Sequence, residues 1–292
     1  MHKYLKAIGL SGLEGRGALE KLLGYCVKFA DKKEYIKAED GEMRAQFSKE
    51  LAPGMGVSVC GRMKEGNSFV YEYYYPYIKG LGVSSTEEIK AERHSATDSY
   101  AGICDDSRLA ISMIFYLLNP IEYRKLSAEG KKAVKSVILS ALANKGTIIL
   151  PLAKTPVQTR QLKKKHERRT RLISSAKNGD ERAIETLSME DMETYNTVSS
   201  RVREVDLYTL VDNYFMPTGV ECDQYSIMGE ITDYSLLVNS YTKEPVYLLS
   251  LICNSIEFEL AIAKKNLYGE PDIGRRFKGD IWLQGYVSKA EQ

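Results

Sequence analysis

Residues 156–177 read Pro156-Val-Gln-Thr-Arg-Gln-Leu-Lys-Lys-Lys-His-Glu-Arg-Arg-Thr-Arg-Leu-Ile-Ser-Ser-Ala-Lys177, and this basic segment separates two halves of the chain in which strand patterns dominate. Its first two thirds contain one acid, Glu167, and seven basic residues: Arg160, Lys163, Lys164, Lys165, Arg168, Arg169 and Arg171. Such a block of like charge repels itself unless an anion lies nearby. The identity of that anion is the main functional question that the sequence raises.

The residues that follow the basic segment offer one source of negative charge. Asn178-Gly-Asp180 is typical of a helix end followed by a new helix cap, and Ser188 is predicted to open a further helix. These helices carry seven acids: Glu181, Glu185, Glu190, Asp191, Glu193, Glu204 and Asp206. Two interpretations therefore stay open, in which the basic helix pairs with the acidic helices or binds external phosphate.

The first half of the chain is predicted to be α+β. Apolar residues between Leu19 and Ala30 recur at helical spacing, and the period changes to two between Glu34 and Ile78, with a hairpin turn at Lys64–Asn67. Further on, a stripe from Ala133 to Leu142 predicts a helix that Ser127 caps and Gly146 ends. A strand from Thr147 to Leu152 is predicted to complete this half.

After Pro217 the period of two returns, and the pattern predicts consecutive antiparallel strands. Glycines spaced along residues 269–287 are typical of a bent barrel strand, so we expect a small barrel related in plan to an oligonucleotide-binding fold. Its strands would carry a basic and aromatic surface consisting of Arg275, Arg276, Lys278, Trp282 and Tyr286. In the alternative interpretation Trp282 anchors the core and the arginines are solvated.

These patterns predict an α+β fold of two β-rich units, largely antiparallel, joined by a charged helical segment. The chain of 292 residues is long enough for about two domains. We place an α+β domain at residues 1–153, a charged helical connector at 154–216, and an antiparallel β domain at 217–292.

Residues 92–108 form the densest collection of chemically capable side chains. Cys104 could act as a nucleophile with His94 as its base and Asp98, Asp105 or Asp106 as the group that orients this base. The alternative is a polar turn between two apolar segments, with a structural histidine. The first interpretation predicts a hydrolase-like enzyme.

Bulk composition limits the remaining possibilities. Hydrophobic residues make up 43% of the chain and charged residues 27%, which are ordinary globular values, and the net charge is +2. The five cysteines form no Cys-x-x-Cys pair, and no secretory signal or membrane-spanning run is present. We therefore expect a cytoplasmic protein without a metal, a cofactor or a membrane partner.

Four motifs resemble a bacterial domain of unknown function from anaerobic Gram-positive bacteria. They are Glu-Arg-His at 92–94, Ala-Gly-Ile-Cys-Asp-Asp at 101–106, Glu-Cys-Asp-Gln-Tyr at 221–225 and Gly-Arg-Arg-Phe-Lys-Gly-Asp-Ile-Trp-Leu-Gln-Gly at 274–285. The resemblance covers nearly the whole chain. It implies a bacterial cytoplasmic protein of this length and brings no activity, cofactor or catalytic residue.

The hypothesis that we carry forward is a non-enzymatic protein that binds an anionic polymer, nucleic acid above all, through its basic helix. The residues predicted to make these contacts are Lys163, Lys164, Lys165, Arg168, Arg169, Arg171, Arg275, Arg276 and Lys278. An enzyme that uses residues 92–108 is one alternative. An adaptor that binds an acidic or other protein partner through the charged helices is another, and it predicts an exposed apolar patch beside the basic helix.

Overall fold

The computed structural model describes residues 2–13, 15–38, 41–93, 99–128, 136–152, 156–201, 211–219 and 221–288. The chain is mostly β, with 47% strand and 27% helix. A 3-10 helix (Lys3–Ile8) comes first, and the α-helices are α1 (Arg16–Lys28), α2 (Pro120–Ala128), α3 (Pro156–Lys177) and α4 (Glu181–Arg201).

Four strands near the N-terminus form an antiparallel meander, which we call sheet A: β1 (Lys32–Lys37), β2 (Met43–Ala52), β3 (Met55–Met63) and β4 (Phe69–Ile78). The hairpin predicted around Lys64–Asn67 is confirmed, because β3 pairs with β4 from Met63 opposite Phe69 to Met55 opposite Ile78. The tyrosines at the end of β4 are buried, so they pack within the protein.

The remaining strands form sheet B, which has ten strands. In chain order they are β5 (Ile89–Arg93), β6 (Tyr100–Cys104), β7 (Met113–Leu117), β8 (Ser136–Ile149), β9 (Tyr214–Pro217), β10 (Gln224–Val238), β11 (Pro245–Cys253), β12 (Ile256–Ala263), β13 (Leu267–Tyr268) and β14 (Arg276–Ser288). Strands from both sides of α3 and α4 therefore share one sheet. The three-part division of the chain at residues 153 and 216 stays a prediction.

Five strands of sheet B close into a barrel in the order β8, β12, β11, β10 and β14. β10, β11 and β12 are joined by hairpins, and β14 returns beside β10, which is the Greek-key order. β8 closes the barrel, parallel to β12 and antiparallel to β14. The small barrel predicted for the C-terminal part is confirmed, and one of its walls comes from residues before the basic helix.

The helix predicted between Ser127 and Gly146 is wrong over its described part, where residues 136–149 form β8. Odd residues of β8 such as Leu139 and Ala141 face the barrel interior, whereas Leu142 contacts a second core outside the barrel. A strand that is buried on both faces is apolar throughout, so its sequence fits a helical spacing as well as an alternating one. Residues 129–135, with Ala133 and Val134 of the predicted stripe, lie outside the described residues.

The second core fills the space between the barrel wall and sheet A. The 3-10 helix and α1 contribute Tyr4, Ile8 and Leu22, and the barrel contributes Trp282. The Trp282 ring stacks on Tyr4 at 5.3 Å between centroids, and its Nε1 donates to Asp223 Oδ2 at 2.7 Å. Trp282 is therefore a core anchor rather than part of a surface.

A buried carboxylate on β12, that of Glu259, allows a test of how burial of an acid affects the stability of the protein. Glu259 accepts a hydrogen bond from Ser250 Oγ at 2.9 Å, and burial raises its pKa. A raised pKa means that folding favours the protonated acid, so the charged form reduces the stability above the pKa of the unfolded chain. We expect Glu259→Gln to raise the urea midpoint at about pH 7, with the gain shrinking towards about pH 4.

Glu257→Gln is the matched control, because Glu257 lies exposed on the same strand. It should leave the midpoint unchanged over this pH range. A Glu259→Gln variant that is less stable than the native chain at neutral pH would contradict the assigned direction of the pKa shift.

Candidate nucleic-acid interface

α3 and α4 form a helical hairpin. Gly179 makes the turn with a φ of +88°, which few side chains tolerate, and Asp180 Oδ1 accepts hydrogen bonds from the amides of Arg182 and Ala183. The predicted helix end and cap at residues 178–180 are confirmed. The further helix predicted to open at Ser188 is wrong, because α4 continues to Arg201 and the Ser188 hydroxyl bonds to the Ile184 carbonyl.

Three observations show which side of α3 faces the rest of the protein, where the β11–β12 turn and the loop after β6 lie. Ile173 is buried, the His166 ring nitrogen Nε2 lies 2.9 Å from Ser255 Oγ in the β11–β12 turn, and Lys177 Nζ donates to the Asp106 carbonyl at 3.0 Å. Burial and the nearby Arg108 charge lower the pKa of His166, so this ring is neutral at physiological pH. These contacts decide which side of α3 faces solvent.

The solvent-facing side of α3 carries Arg160, Lys164 and Arg171, which we call the basic face. At 100° per residue these three lie within about 40° of one another and about 140° to 180° from Ile173. All three side chains are exposed, and no carboxylate within the described ranges forms an ion pair with them. Lys165 is also exposed and unpaired there, on the flank of the helix. The side chain of Lys163 lies outside the described residues.

Two basic residues of α3, Arg168 and Arg169, pair with the acidic helix. Arg168 lies 3.1 Å from a Glu190 carboxylate oxygen, and Arg169 lies 2.7 Å from Asp191 and 3.7 Å from Glu190. The intramolecular interpretation therefore applies to Arg168 and Arg169, and phosphate binding by the other cations of α3 stays a prediction. Arg168 remains largely exposed, and exposed ion pairs contribute little to stability, so this pair can exchange with another anion.

The predicted contacts on β14 and the turn before it have partners inside the protein. Arg276 is buried, and its guanidinium donates to the carbonyls of Leu150 at 3.0 Å and Val211 at 3.0 Å. Arg275 donates to the Glu270 carbonyl at 2.8 Å, and Lys278 is half-buried on β14. A role of Arg275, Arg276 and Lys278 in binding nucleic acid stays a prediction.

Comparison with protein families identifies the chain. The model of DUF3881, described as a domain of unknown function from E. rectale, matches residues 5–285. The chain belongs to this family. No curated protein and no solved structure matches it. The resemblance to a domain of unknown function from anaerobic Gram-positive bacteria is confirmed.

In this DUF3881 chain the described part of the 92–108 segment contains an ion pair between buried Asp106 and Arg108. Asp106 accepts hydrogen bonds from Ser85 Oγ at 2.6 Å and from Arg108 Nε at 2.8 Å. Burial opposes ionisation of Asp106, but the hydrogen bonds from Arg108 and Ser85 outweigh it and lower the pKa of the carboxyl. Arg108 also donates to the Ser84 and Ser255 carbonyls, so the pair ties three loops together.

Cys104 of the DUF3881 chain is fully buried, and burial raises the pKa of its thiol. A reactive cysteine has the opposite environment, which is accessible and electropositive. Asp105 is exposed and bonds to the Ser112 hydroxyl. His94 lies outside the described residues, and Cys104 pairs with Ile89 at the end of β5 that is distant from position 94. The enzyme hypothesis therefore stays an untested prediction.

Metal-binding clusters and membrane-spanning helices are both absent from the described part of this DUF3881 chain. Within the described ranges, no group of three His, Cys, Asp or Glu side chains is placed to hold a metal ion. None of the described helices is both long and apolar enough to cross a bilayer. The sequence did not predict that His166 and Lys177 attach α3 to the rest of the protein. These contacts depend on segments that are distant in the sequence, the β11–β12 turn and the loop after β6.

Proposed function

We propose that this protein binds nucleic acid through the basic face of α3, by contacting phosphates without reading the base sequence. The observation that carries the proposal is a set of three exposed cations, without ion-pair partners among the described residues, on the side of α3 that faces away from the barrel. His166 and Lys177 hydrogen-bond to Ser255 and to the Asp106 carbonyl, so the helix that carries the cations is attached to the rest of the protein. A fixed array loses less conformational entropy on binding than a flexible basic tail.

The dimensions of the basic face suit a polyanion. Arg160 and Arg171 are separated by about 16 Å along the helix axis, and duplex DNA carries about one charge per 1.7 Å of its own axis. The basic face has no aromatic side chain that could stack on a base. Contacts to phosphate position a protein on nucleic acid without specifying sequence, so we infer sequence-independent binding.

We infer that the barrel is related in plan to oligonucleotide-binding folds, because it has five strands and a Greek key. In those folds the ligand lies on the face of the second and third strands. The corresponding strands here are β11 and β12, and Val246, Leu248 and Ala261 on their outer faces contact the second core. The barrel wall is therefore not the proposed ligand surface, and the proposal depends on the charges of α3 rather than on fold analogy.

An adaptor is a second candidate function, favoured by an apolar stripe on α4. At 100° per residue its four exposed members lie within about 140° of the helix surface. They are Ile184, Met189, Met192 and Tyr195. Solvent-facing apolar patches of this kind mark protein-binding sites, and methionine adapts to varied partners. If the stripe serves only a protein partner, Met192→Glu leaves the affinity for nucleic acid unchanged.

Salt dependence is the experiment that tests the proposed function. Fluorescence anisotropy of labelled single-stranded and duplex oligonucleotides should show micromolar binding at about 50 mM salt. Three neutralised phosphates give a slope of log K against log salt of about −2.1 for single strands and about −2.7 for duplex DNA, which predicts a loss of about 20- to 40-fold between 50 and 200 mM. Absence of binding at the lower salt, or a slope near zero, would overturn the proposal.

A further inference from the structure

A cleft lined by polar and apolar side chains lies between sheet A and the end of β14, and none of its lining residues belongs to α3. Its volume is about 290 Å³, and its lining includes Gln46, Ser48, Ser58, Tyr77 and Tyr286. We call it the sheet A cleft. The volume is close to the lower end of the range for small-molecule sites.

The floor of the sheet A cleft consists of buried polar groups. Gln46, Ser48 and Ser58 are each more than nine-tenths buried. Gln46 Nε2 donates to Tyr75 Oη at 3.0 Å and to the Leu118 carbonyl at 3.3 Å, whereas Gln46 Oε1 has no hydrogen-bond partner. Buried amide oxygens almost always accept a hydrogen bond. Gln46 Oε1 is therefore a buried acceptor that a ligand hydroxyl could satisfy.

One hydroxyl of the cleft supplies a donor. It is not in the serine pair, because Ser48 Oγ and Ser58 Oγ lie 2.8 Å apart and the Ser58 side chain also hydrogen-bonds to Tyr75. Tyr77 is buried, and its hydroxyl has no hydrogen bond within the described ranges. Burial raises the pKa of Tyr77, so its phenol remains a neutral donor.

The charges around the cleft neutralise one another. Lys32 Nζ lies 3.1 Å from Glu34 Oε1, Lys49 Nζ lies 2.8 Å from Asp31 Oδ1, and Lys79 pairs with Glu50. Three cations and three anions leave a net charge of zero. An ionic ligand would have to break one of these pairs, whereas a neutral ligand would not.

We propose that the sheet A cleft binds a neutral polyhydroxylated molecule of about monosaccharide size. Each hydroxyl of such a molecule both donates and accepts a hydrogen bond, which matches the free acceptor on Gln46 and the free donor on Tyr77. The tyrosine rings of the lining, Tyr77 and Tyr286, offer apolar surface to the carbon face of a sugar or cyclitol.

Isothermal titration calorimetry with D-glucose, D-ribose and myo-inositol, and with L-glutamate, L-lysine and inorganic phosphate as charged comparators, tests the proposal. At least one neutral compound should bind, and the charged ones should not. Tyr77→Phe removes only the unpartnered hydroxyl, so it should weaken that binding about tenfold and leave the melting temperature unchanged. Tyr71→Phe is the matched control, because Tyr71 is an exposed tyrosine of the same strand.

Failure of all three neutral compounds to bind would overturn the proposal. If a charged comparator binds more tightly than the neutral compounds, the ligand is ionic and the proposal of a neutral ligand is wrong. If the Tyr77→Phe variant and the native chain bind the neutral compound with equal affinity, the compound binds outside the sheet A cleft and the proposal is wrong.

Discussion

Replacing Arg160, Lys164 and Arg171 together by glutamate is expected to weaken nucleic-acid binding about 100- to 1000-fold at about 50 mM salt. Each substitution removes a phosphate contact and the counterion release that accompanies it, and adds a repelled carboxylate. The fold should survive, because all three side chains are exposed and form no ion pair with the described residues. Anisotropy against a labelled oligonucleotide measures the loss, and circular dichroism measures the remaining helix.

The matched control for this variant reverses three lysines on the strands β1 and β5. Lys33, Lys37 and Lys90 are exposed, and their replacement by glutamate changes the net charge by the same six units. If the basic face is the binding surface, this control loses only the small, long-range part of the attraction. Equal loss in the two triple variants would mean that overall charge, rather than α3, governs binding.

Asp106→Asn is expected to destabilise the protein by about 3–5 kcal/mol at neutral pH. The substitution keeps the shape of the side chain but removes the charge that compensates Arg108, whose guanidinium lies only 2.6 Å from the carboxylate and is mostly buried. Ser85, which donates to the same carboxylate, also loses its charged acceptor. Urea denaturation of the variant and the native chain measures the difference.

The dependence of this loss on pH follows from the lowered pKa of Asp106. An acid with a depressed pKa in the folded state stabilises the protein above its unfolded pKa of about 3.9, and this contribution is lost as the pH falls through the folded value. The gap between Asp106→Asn and the native chain should therefore narrow only in strong acid. Asp105→Asn is the neighbouring control at an exposed site, and a comparable loss there would refute a special role for the buried pair.

The sheet A hairpins could be predicted from the sequence because their pattern is local. Met43, Ala45 and Phe47 alternate with polar residues, and the turn at Lys64–Asn67 separates two strands of matching length. The closure of the barrel could not be predicted in this way. β8 pairs with β12 through Leu260 opposite Ala141, residues far apart in the sequence, and its two buried faces hide the period of two.

The candidate site was predictable from the sequence as a block of charge and as one face of a helix, but the ion pairs and buried contacts of the other cations were not. Helical spacing alone separates Arg160, Lys164 and Arg171 from Ile173, so the basic face could have been drawn from the sequence. The pairing of Arg169 with Asp191 depends on how the hairpin folds back, and the burial of Arg276 depends on carbonyls from two distant segments. Long-range contacts of this kind leave no pattern in the local sequence.

Lysine acetylation footprinting with mass spectrometry tests the central claim most directly, because it reports where nucleic acid covers the protein. With a saturating oligonucleotide, acetylation of Lys164 and Lys165 should fall, whereas acetylation of Lys33, Lys37 and Lys90 should not change. Unchanged acetylation at Lys164 and Lys165 while the oligonucleotide is bound would contradict the claim that α3 is the nucleic-acid interface.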